Sequence, residues 1–119
     1  MAITGVHALV YTSEPEELRR LLGAAFDWPS VDAGADWLIF ALPPAELAVH
    51  PGAEPRHELS LMCDDLTRTM AELGSRGVAF RGGPEQRAWG DVVTVILPGE
   101  VEMLLYQPRH PIAHEQRDP

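Results

Sequence analysis

The sequence predicts an α+β fold built from two successive modules, each with the order strand–helix–strand–strand–strand. Short β-rich runs alternate with amphipathic helices, the whole pattern restarts near residue 57, and Gly or Pro turns separate many of the runs. The 119 residues suit one small domain whose two half-size modules share a core. The predicted boundaries are residues 1–50 for the first module, 51–56 for a linker, 57–111 for the second module and 112–119 for a flexible tail.

The first module opens with a predicted strand from Val6 to Thr12. A helix is expected from Glu14 to Phe26, with Ser13 as its N-cap in a capping box and its leucines at amphipathic spacing. Three further strands are predicted: a short one around Val31, one from Asp36 to Leu42, and one from Ala45 to His50.

The second module repeats this order, beginning with a strand from His57 to Cys63. Asp65 is the expected N-cap of a helix from about Leu66 to Arg76, and Gly77 is expected to end it. The remaining strands are predicted at Val78–Arg81, Asp91–Leu97 and Glu100–Gln107, with a turn at Gly82-Gly83-Pro84.

The acidic net charge limits the kinds of molecule that the protein is expected to bind. Nine arginines, no lysine and 18 acidic residues give a net charge of −9, which argues against a nucleic-acid surface or a polybasic membrane patch. The single cysteine, Cys63, excludes an internal disulfide framework. The N-terminus lacks the regions of a signal peptide, and every apolar stretch is too short to cross a bilayer, so a cytoplasmic protein is expected.

Two histidines and two glutamates recur at equivalent positions of the two modules: His7 with Glu46, and His57 with Glu102. If the first and last strands of each module are neighbours, each pair lies side by side on one sheet face. Two imidazoles and two carboxylates suit a divalent metal such as Ni, Co, Mn, Fe or Zn. Taken singly, a strand histidine is more often a packed or partly exposed ring, and a strand glutamate usually faces water. The spacing alone leaves both interpretations open.

The duplicated module resembles the vicinal oxygen chelate superfamily, which includes glyoxalase I, methylmalonyl-CoA epimerase, extradiol dioxygenases, fosfomycin-resistance enzymes and bleomycin-binding proteins. The resemblance covers about Thr4 to Pro111. Its most specific part is HELSLMCDDLTRTMAELGSRGVAF followed by WGDVVTVILPGEVEMLLYQPRHP, and GVHALVYTSEPEELRRLLGAAF matches the opening strand and helix more loosely. The resemblance implies a cupped, eight-stranded mixed sheet of the glyoxalase/dioxygenase-like fold.

The resemblance also implies roles for these residues. His7, Glu46, His57 and Glu102 fall where glyoxalase I carries its four metal ligands, with Glu46 or Glu102 moving a proton. Without Glu46, the other three match the two-His-one-carboxylate site of the dioxygenases, which bind Fe(II). Extradiol enzymes of this fold usually have four modules, whereas this chain has two. That difference counts against the dioxygenase interpretation.

Two classes of function follow from the resemblance. One is a metal-dependent lyase or isomerase acting on a small substrate whose adjacent oxygens chelate the metal, with the extradiol-type dioxygenase as its variant. The other is a metal-free protein that sequesters a drug of the bleomycin type, which the charge of −9 suits. Either way a homodimer is expected, with sites at the interface. The sequence does not decide whether the modules pair within a chain or across the dimer.

Three further residues are candidates for contacting a small-molecule substrate: His50, Tyr106 and Trp89. Each has a simpler interpretation, because His50 can be a surface residue at a strand end, Tyr106 can simply pack, and Trp89 can belong to the core or the rim. Arg109 and His110 can contact an anionic substrate or belong only to the tail. The pair Asp64-Asp65 is better explained by helix capping than by a metal site.

Overall fold

The computed structural model describes residues 7–35, 37–49 and 51–116. The described residues form two α-helices, six strands and a short 3-10 helix. In chain order these are α1 (Pro15–Ala24), β1 (Ser30–Asp32), β2 (Leu38–Phe40), β3 (Ser60–Met62), α2 (Leu66–Ser75), β4 (Ala79–Arg87), β5 (Gly90–Leu97), β6 (Val101–Pro108) and the 3-10 helix Ala113–Gln116.

The strands form two sheets. Strands β1 and β2 pair as an antiparallel hairpin, and the larger sheet has the order β3-β6-β5-β4. Strand β3 runs parallel to β6, whereas β6, β5 and β4 pair antiparallel, so the larger sheet is mixed. The predicted α+β class is therefore confirmed, and the second module has the predicted order of strands around one helix.

One core lies between the larger sheet and both helices. Alternate residues of β5 and one residue of β6 point into it, because successive side chains of a strand lie on opposite faces. Helix α1 of the first module packs into this same core, which belongs otherwise to the second module. The buried residues of the core are Leu18, Leu21, Ala25, Leu66, Leu73, Val78, Val93, Val95, Leu97 and Leu105.

The opposite face of the larger sheet, which we call the outer face, carries the residues that alternate with these core positions. Val92, although only 3% exposed, lies outside the core cluster and belongs to this face. The outer face consists of Val92, Thr94 and Ile96 on β5 and Glu102, Leu104 and Tyr106 on β6.

The N-terminus of α1 is fixed to the turn between β5 and β6. The Thr12 hydroxyl donates to the carbonyl of Pro98 at 2.8 Å, and the backbone N–H of Gly99 donates to a Glu14 carboxylate oxygen at 3.0 Å. Gly99 has a φ of +81°, and a Cβ at this position would collide with the Thr12 hydroxyl. The predicted Ser13 cap is wrong, since Glu14 occupies the N-cap position without a side-chain hydrogen bond.

The prediction for α2 is confirmed at both ends. An Asp65 carboxylate oxygen accepts from the backbone N–H of Arg68 at 3.0 Å, and Gly77 follows the helix with a φ of +92°. The predicted turn at residues 82–84 is wrong, because β4 continues through it to Arg87. The pairing of β4 with β5 shifts in register between Arg81 and Glu85, and the resulting bulge contains Gly82 and Gly83.

The first module differs most from its prediction. Residues 7–12 and 41–49 form no strand, so the described residues contain six strands in two sheets rather than one cup of eight. An unpaired strand gains no ladder hydrogen bonds, and apolar alternation alone does not stabilise it. The segments instead leave apolar side chains exposed, namely Leu9 by 63%, Tyr11 by 85%, Leu47 by 91% and Val49 by 92%.

Both described α-helices have ten residues, and neither is long and apolar enough to cross a membrane.

Candidate functional site

Tyr106 lies at one end of the outer face, where it contacts Trp89 and His110. Its ring and the ring of Trp89 pack in a T-shaped arrangement, with centroids 5.0 Å apart and planes at 84°. Trp89 lies in the turn between β4 and β5, immediately before Gly90. A Cβ on Gly90 would lie 2.5 Å from the Gln107 carbonyl oxygen, so glycine is needed for β5 to pair closely with β6 beside the tryptophan.

His110 joins Tyr106 to the chain that follows β6. The Tyr106 hydroxyl lies 3.2 Å from His110 Nε2, and His110 Nδ1 lies 2.8 Å from the Pro111 carbonyl oxygen. Because a carbonyl can only accept, Nδ1 carries the proton in the neutral ring. Nε2 then accepts a hydrogen bond from the Tyr106 hydroxyl.

Glu46 meets the same group from the first module. One of its carboxylate oxygens accepts from the backbone N–H of Ala113 at 2.7 Å, and the other lies 3.8 Å from His110 Nε2. Its side chain is only 17% exposed. The structure therefore brings Glu46, Tyr106 and Trp89, three residues predicted from the sequence, to one end of the outer face.

The electrostatics of this end keep Tyr106 protonated. Burial raises the pKa of the Tyr106 hydroxyl, and the nearby charge of Glu46 raises that pKa further. The phenol therefore remains a hydrogen-bond donor to His110 while its oxygen can still accept from a bound molecule.

At the other end, the carboxylate of Glu102 is paired with Arg81 at 2.7 Å, and the two side chains are about half exposed. Arg81 lies opposite Thr94, and Glu102 lies opposite Ile96, so the pair crosses β5 on the outer face. Between the two ends the face is largely apolar, with Val92, Ile96 and Leu104 as its floor.

The outer face is shallow. A hollow of about 40 Å³ lies on it between Arg81, Val92 and Leu104, and a second hollow of about 230 Å³ lies elsewhere, beside Leu66 and Gln107. Ligand sites typically enclose roughly 300–1,000 Å³. A single chain, as far as the structure describes it, therefore offers a surface for a ligand without enclosing it.

The four predicted metal ligands do not meet within one chain. His7 and His57 are exposed and lie outside the strands, while Glu46 and Glu102 have the partners described above. Across the described ranges, no three His, Cys, Asp or Glu side chains lie close enough together to hold a metal ion. Within the described part of a single chain, the four predicted ligands therefore do not form a metal site. His50 lies outside the described residues.

Sequence reasoning gave His110 no role as a partner of Tyr106. The sequence places His110 four residues after Tyr106. Residues four apart are neighbours on a helix, but this spacing predicts no contact across the end of a strand. The contact depends on the chain bending after Pro108, and the sequence pattern does not predict that bend.

Comparisons with known proteins place this geometry in a wider context. No family model matches the chain, and no curated protein matches it significantly. Among solved structures, it is similar to TnmS3, an antibiotic binding protein from Streptomyces sp. CB03234, with 27% identity over 91% of this chain and 98% of that one and a TM-score of 0.66.

Two further structures share the architecture at lower identity. A member of the glyoxalase/bleomycin resistance protein/dioxygenase superfamily from Sphaerobacter thermophilus DSM 20745 is 20% identical, over 90% of this chain and 99% of that one, with a TM-score of 0.61. A domain of the same description from Frankia sp. EAN1pec is 15% identical, over 91% and 100%, with a TM-score of 0.58. The chain therefore has the fold of the vicinal oxygen chelate superfamily, and the resemblance drawn from its sequence is confirmed.

Proposed function

We propose that the protein binds a small organic molecule on the outer face and sequesters it without a protein-bound metal. The observation that carries this proposal is the ion pair between Arg81 and Glu102. The resemblance gives Glu102 the role of a metal ligand, but its carboxylate already has a cationic partner. The similarity to an antibiotic binding protein supports the same interpretation.

The chemistry of the outer face favours an amphipathic ligand. Its floor is apolar, and an aromatic edge and several hydrogen-bonding groups lie at the Tyr106 end. Binding sites for small molecules typically combine apolar walls with a few placed polar groups. The net charge of −9 further favours a cationic ligand over an anionic one.

A second copy of the chain supplies the missing walls in this proposal, which makes the protein a homodimer. Strand β3 lies at the edge of its sheet, and apolar segments 7–12 and 41–49 are exposed. Pairing these segments with a neighbouring copy adds strands to the open edge and removes apolar surface from water.

Light scattering after size-exclusion chromatography tests the dimer. We expect twice the chain mass for the natural sequence and a shift toward the monomer for Leu47→Asp. Val31→Asp is the matched control, because Val31 is 67% exposed but belongs to the paired hairpin. A natural chain that remains a monomer at high concentration contradicts this part of the proposal.

A metal-dependent, glyoxalase-like lyase or isomerase is the second candidate. The unpaired segments that carry His7 and Glu46 favour it, because a dimer can bring them to His57 and Glu102 of another copy. An extradiol-type dioxygenase would need only His7, His57 and Glu102. In both cases Glu102 would bind the metal either through the carboxylate oxygen that Arg81 does not contact or after Arg81 has moved away.

Calorimetric titration with metal-free bleomycin in the presence of EDTA tests the sequestration proposal. We expect binding that weakens in Trp89→Ala and persists in Trp37→Ala. Trp37 is a matched control, because it is 60% exposed and its ring contacts Arg19 outside the site. A panel of other antibiotics extends the titration. If no member of the panel binds in EDTA, the sequestration proposal fails.

Elemental analysis of tag-free protein separates the two candidates. About one transition metal per chain, lost in both Glu46→Ala and His57→Ala, would favour the lyase or isomerase. Loss in His57→Ala alone would favour the three-ligand dioxygenase. Sequestration predicts no stoichiometric metal even after incubation with Ni, Co, Mn, Fe and Zn. We also propose that this function operates in the cytoplasm.

A further inference from the structure

The chain leaving β6 crosses the Tyr106 end of the outer face and is fixed there at both of its ends. We call residues 109–113 the strap. Arg109 binds the turn between β4 and β5, His110 meets the Tyr106 hydroxyl, and the N–H of Ala113 donates to Glu46. The strap thus contacts β6, the turn between β4 and β5, and the segment of the first module that carries Glu46.

Arg109 holds the turn that carries Trp89 through three separate contacts. Its backbone N–H donates to the Trp89 carbonyl at 2.9 Å, and its guanidinium donates to the Asp91 carboxylate at 2.8 Å and to the Arg87 carbonyl at 2.6 Å. The three acceptors lie two residues before Trp89, at Trp89 itself and two residues after it. A planar guanidinium presents its donors in fixed directions, whereas an ammonium group is a compact point charge on a flexible stem.

The far end of the strap holds the first module. Ala113 lies beside Glu46. Glu46 belongs to segment 41–49, which has no strand partners among the described residues. The bond from the Ala113 N–H to the Glu46 carboxylate is 2.7 Å long, and it is charge-assisted. One end of the strap is bound to the turn that carries Trp89, the other end is bound to Glu46, and His110 between them contacts Tyr106.

We infer that the strap is a wall of the ligand site, with Arg109 as the positioning residue that fixes Trp89 against Tyr106. This inference rests on the proposed function, because it assigns to that site a boundary that sets which molecules reach Tyr106. Arg109 itself faces the turn and acts on a ligand only through Trp89. Ala113 holds the far end of the wall by its backbone.

Fluorine NMR of protein labelled with 5-fluorotryptophan tests the positioning role without any ligand. We expect Arg109→Ala to shift the Trp89 resonance, and Arg109→Lys to fail to restore it. Arg87→Ala is the matched control, since it removes a guanidinium from the same corner but keeps the carbonyl that Arg109 uses. An unshifted Trp89 resonance in Arg109→Ala overturns the inference.

Ala113→Pro tests the far end, because proline lacks the N–H that binds Glu46 and is tolerated at the first position of a helix, where Ala113 stands. We expect the Trp89 fluorine resonance to shift in this variant, while the Trp37 and Trp28 resonances stay in place. If the Trp89 resonance does not move, the strap is not a wall of this site. Circular dichroism of each variant must match that of the natural chain, so that a changed resonance reports position rather than unfolding.

A bleomycin titration of the same variants separates this inference from the proposed function. If the natural chain binds and binding is lost or weakened in both Arg109→Ala and Ala113→Pro, the result supports the proposed function and the inference alike. If the natural chain binds no panel member but the Trp89 readouts respond as expected, the proposed function fails and the positioning role of Arg109 stands. Binding unchanged in both variants overturns the strap as a wall of the site.

Discussion

The guanidinium of Arg81 reaches across β5 to within 2.7 Å of the Glu102 carboxylate, so the side chains of β4 and β6 meet above a strand that separates them. The pair covers the outer face beside Thr94 and Ile96. It places a cation beside the position that the sequence marks as a metal ligand. The negative charge of Glu102 is thus balanced by Arg81 at this end of the face.

We expect this ion pair to contribute little to stability. Both side chains are about half exposed, and exposed pairs are worth about 0–1 kcal/mol. Arg81→Ala should therefore lower the free energy of unfolding by no more than about 1 kcal/mol, measured by urea denaturation. Arg56→Ala, which removes an exposed pair with Glu58, is the control. A much larger loss for Arg81→Ala alone would show that the arginine supports the sheet.

The N-cap of α2 gives a second prediction. Asp65→Ala removes the acceptor of the Arg68 N–H and should cost about 1 kcal/mol of folding free energy. The neighbouring Asp64 is exposed and does not occupy the cap, so Asp64→Ala provides a control of the same residue type. Urea denaturation of both variants measures the difference. Equal losses would contradict the assignment of the cap.

The two faces of β6 should respond differently to truncation. Leu105 is 2% exposed in the core, and replacing a buried leucine with alanine costs about 2–5 kcal/mol. Leu104, its neighbour on the outer face, is only partly buried, so Leu104→Ala should cost clearly less. Chemical denaturation gives both values. A larger loss for Leu104 would mean that the outer face is covered more completely than in the single chain.

Cys63 should react slowly with alkylating reagents. Burial raises the pKa of its thiol, and only the thiolate is nucleophilic. At pH 8 we expect iodoacetamide to modify the folded chain several times more slowly than the chain unfolded in guanidinium, as followed by mass spectrometry. Equal rates in the two states would contradict this expectation.

The same shift predicts how pH affects folding. The folded state holds the thiol proton more tightly than the unfolded state does. The contribution of Cys63 to stability is therefore complete below the ordinary thiol pKa and declines as the pH rises through the raised one. Urea denaturation of the natural chain and of Cys63→Ala across this range measures that decline, which the variant should lack.

Local signals predicted the second module well. Asp65 and Gly77 mark the ends of α2, and both act through neighbours in sequence. The strands of the first module depend on partners that a hydrophobic pattern does not name, and residues 7–12 and 41–49 remain unpaired in the described chain. The contacts of Glu102 and His110 were likewise unpredictable, since they depend on register across the sheet and on the path of the chain after β6.

Helix α1 has a consequence for the order in which the chain becomes structured during synthesis. Leu18 and Leu21 belong to a core that consists mostly of residues the ribosome adds much later, from Leu66 onward, and Thr12 hydrogen-bonds to Pro98, 86 positions away. The emerging N-terminal half therefore exposes its apolar helix until the C-terminal half has been made. Contacts of such long sequence separation slow folding and lengthen the exposure of apolar surface. The apolar face of α1 is thus covered only after the second half of the chain has been made.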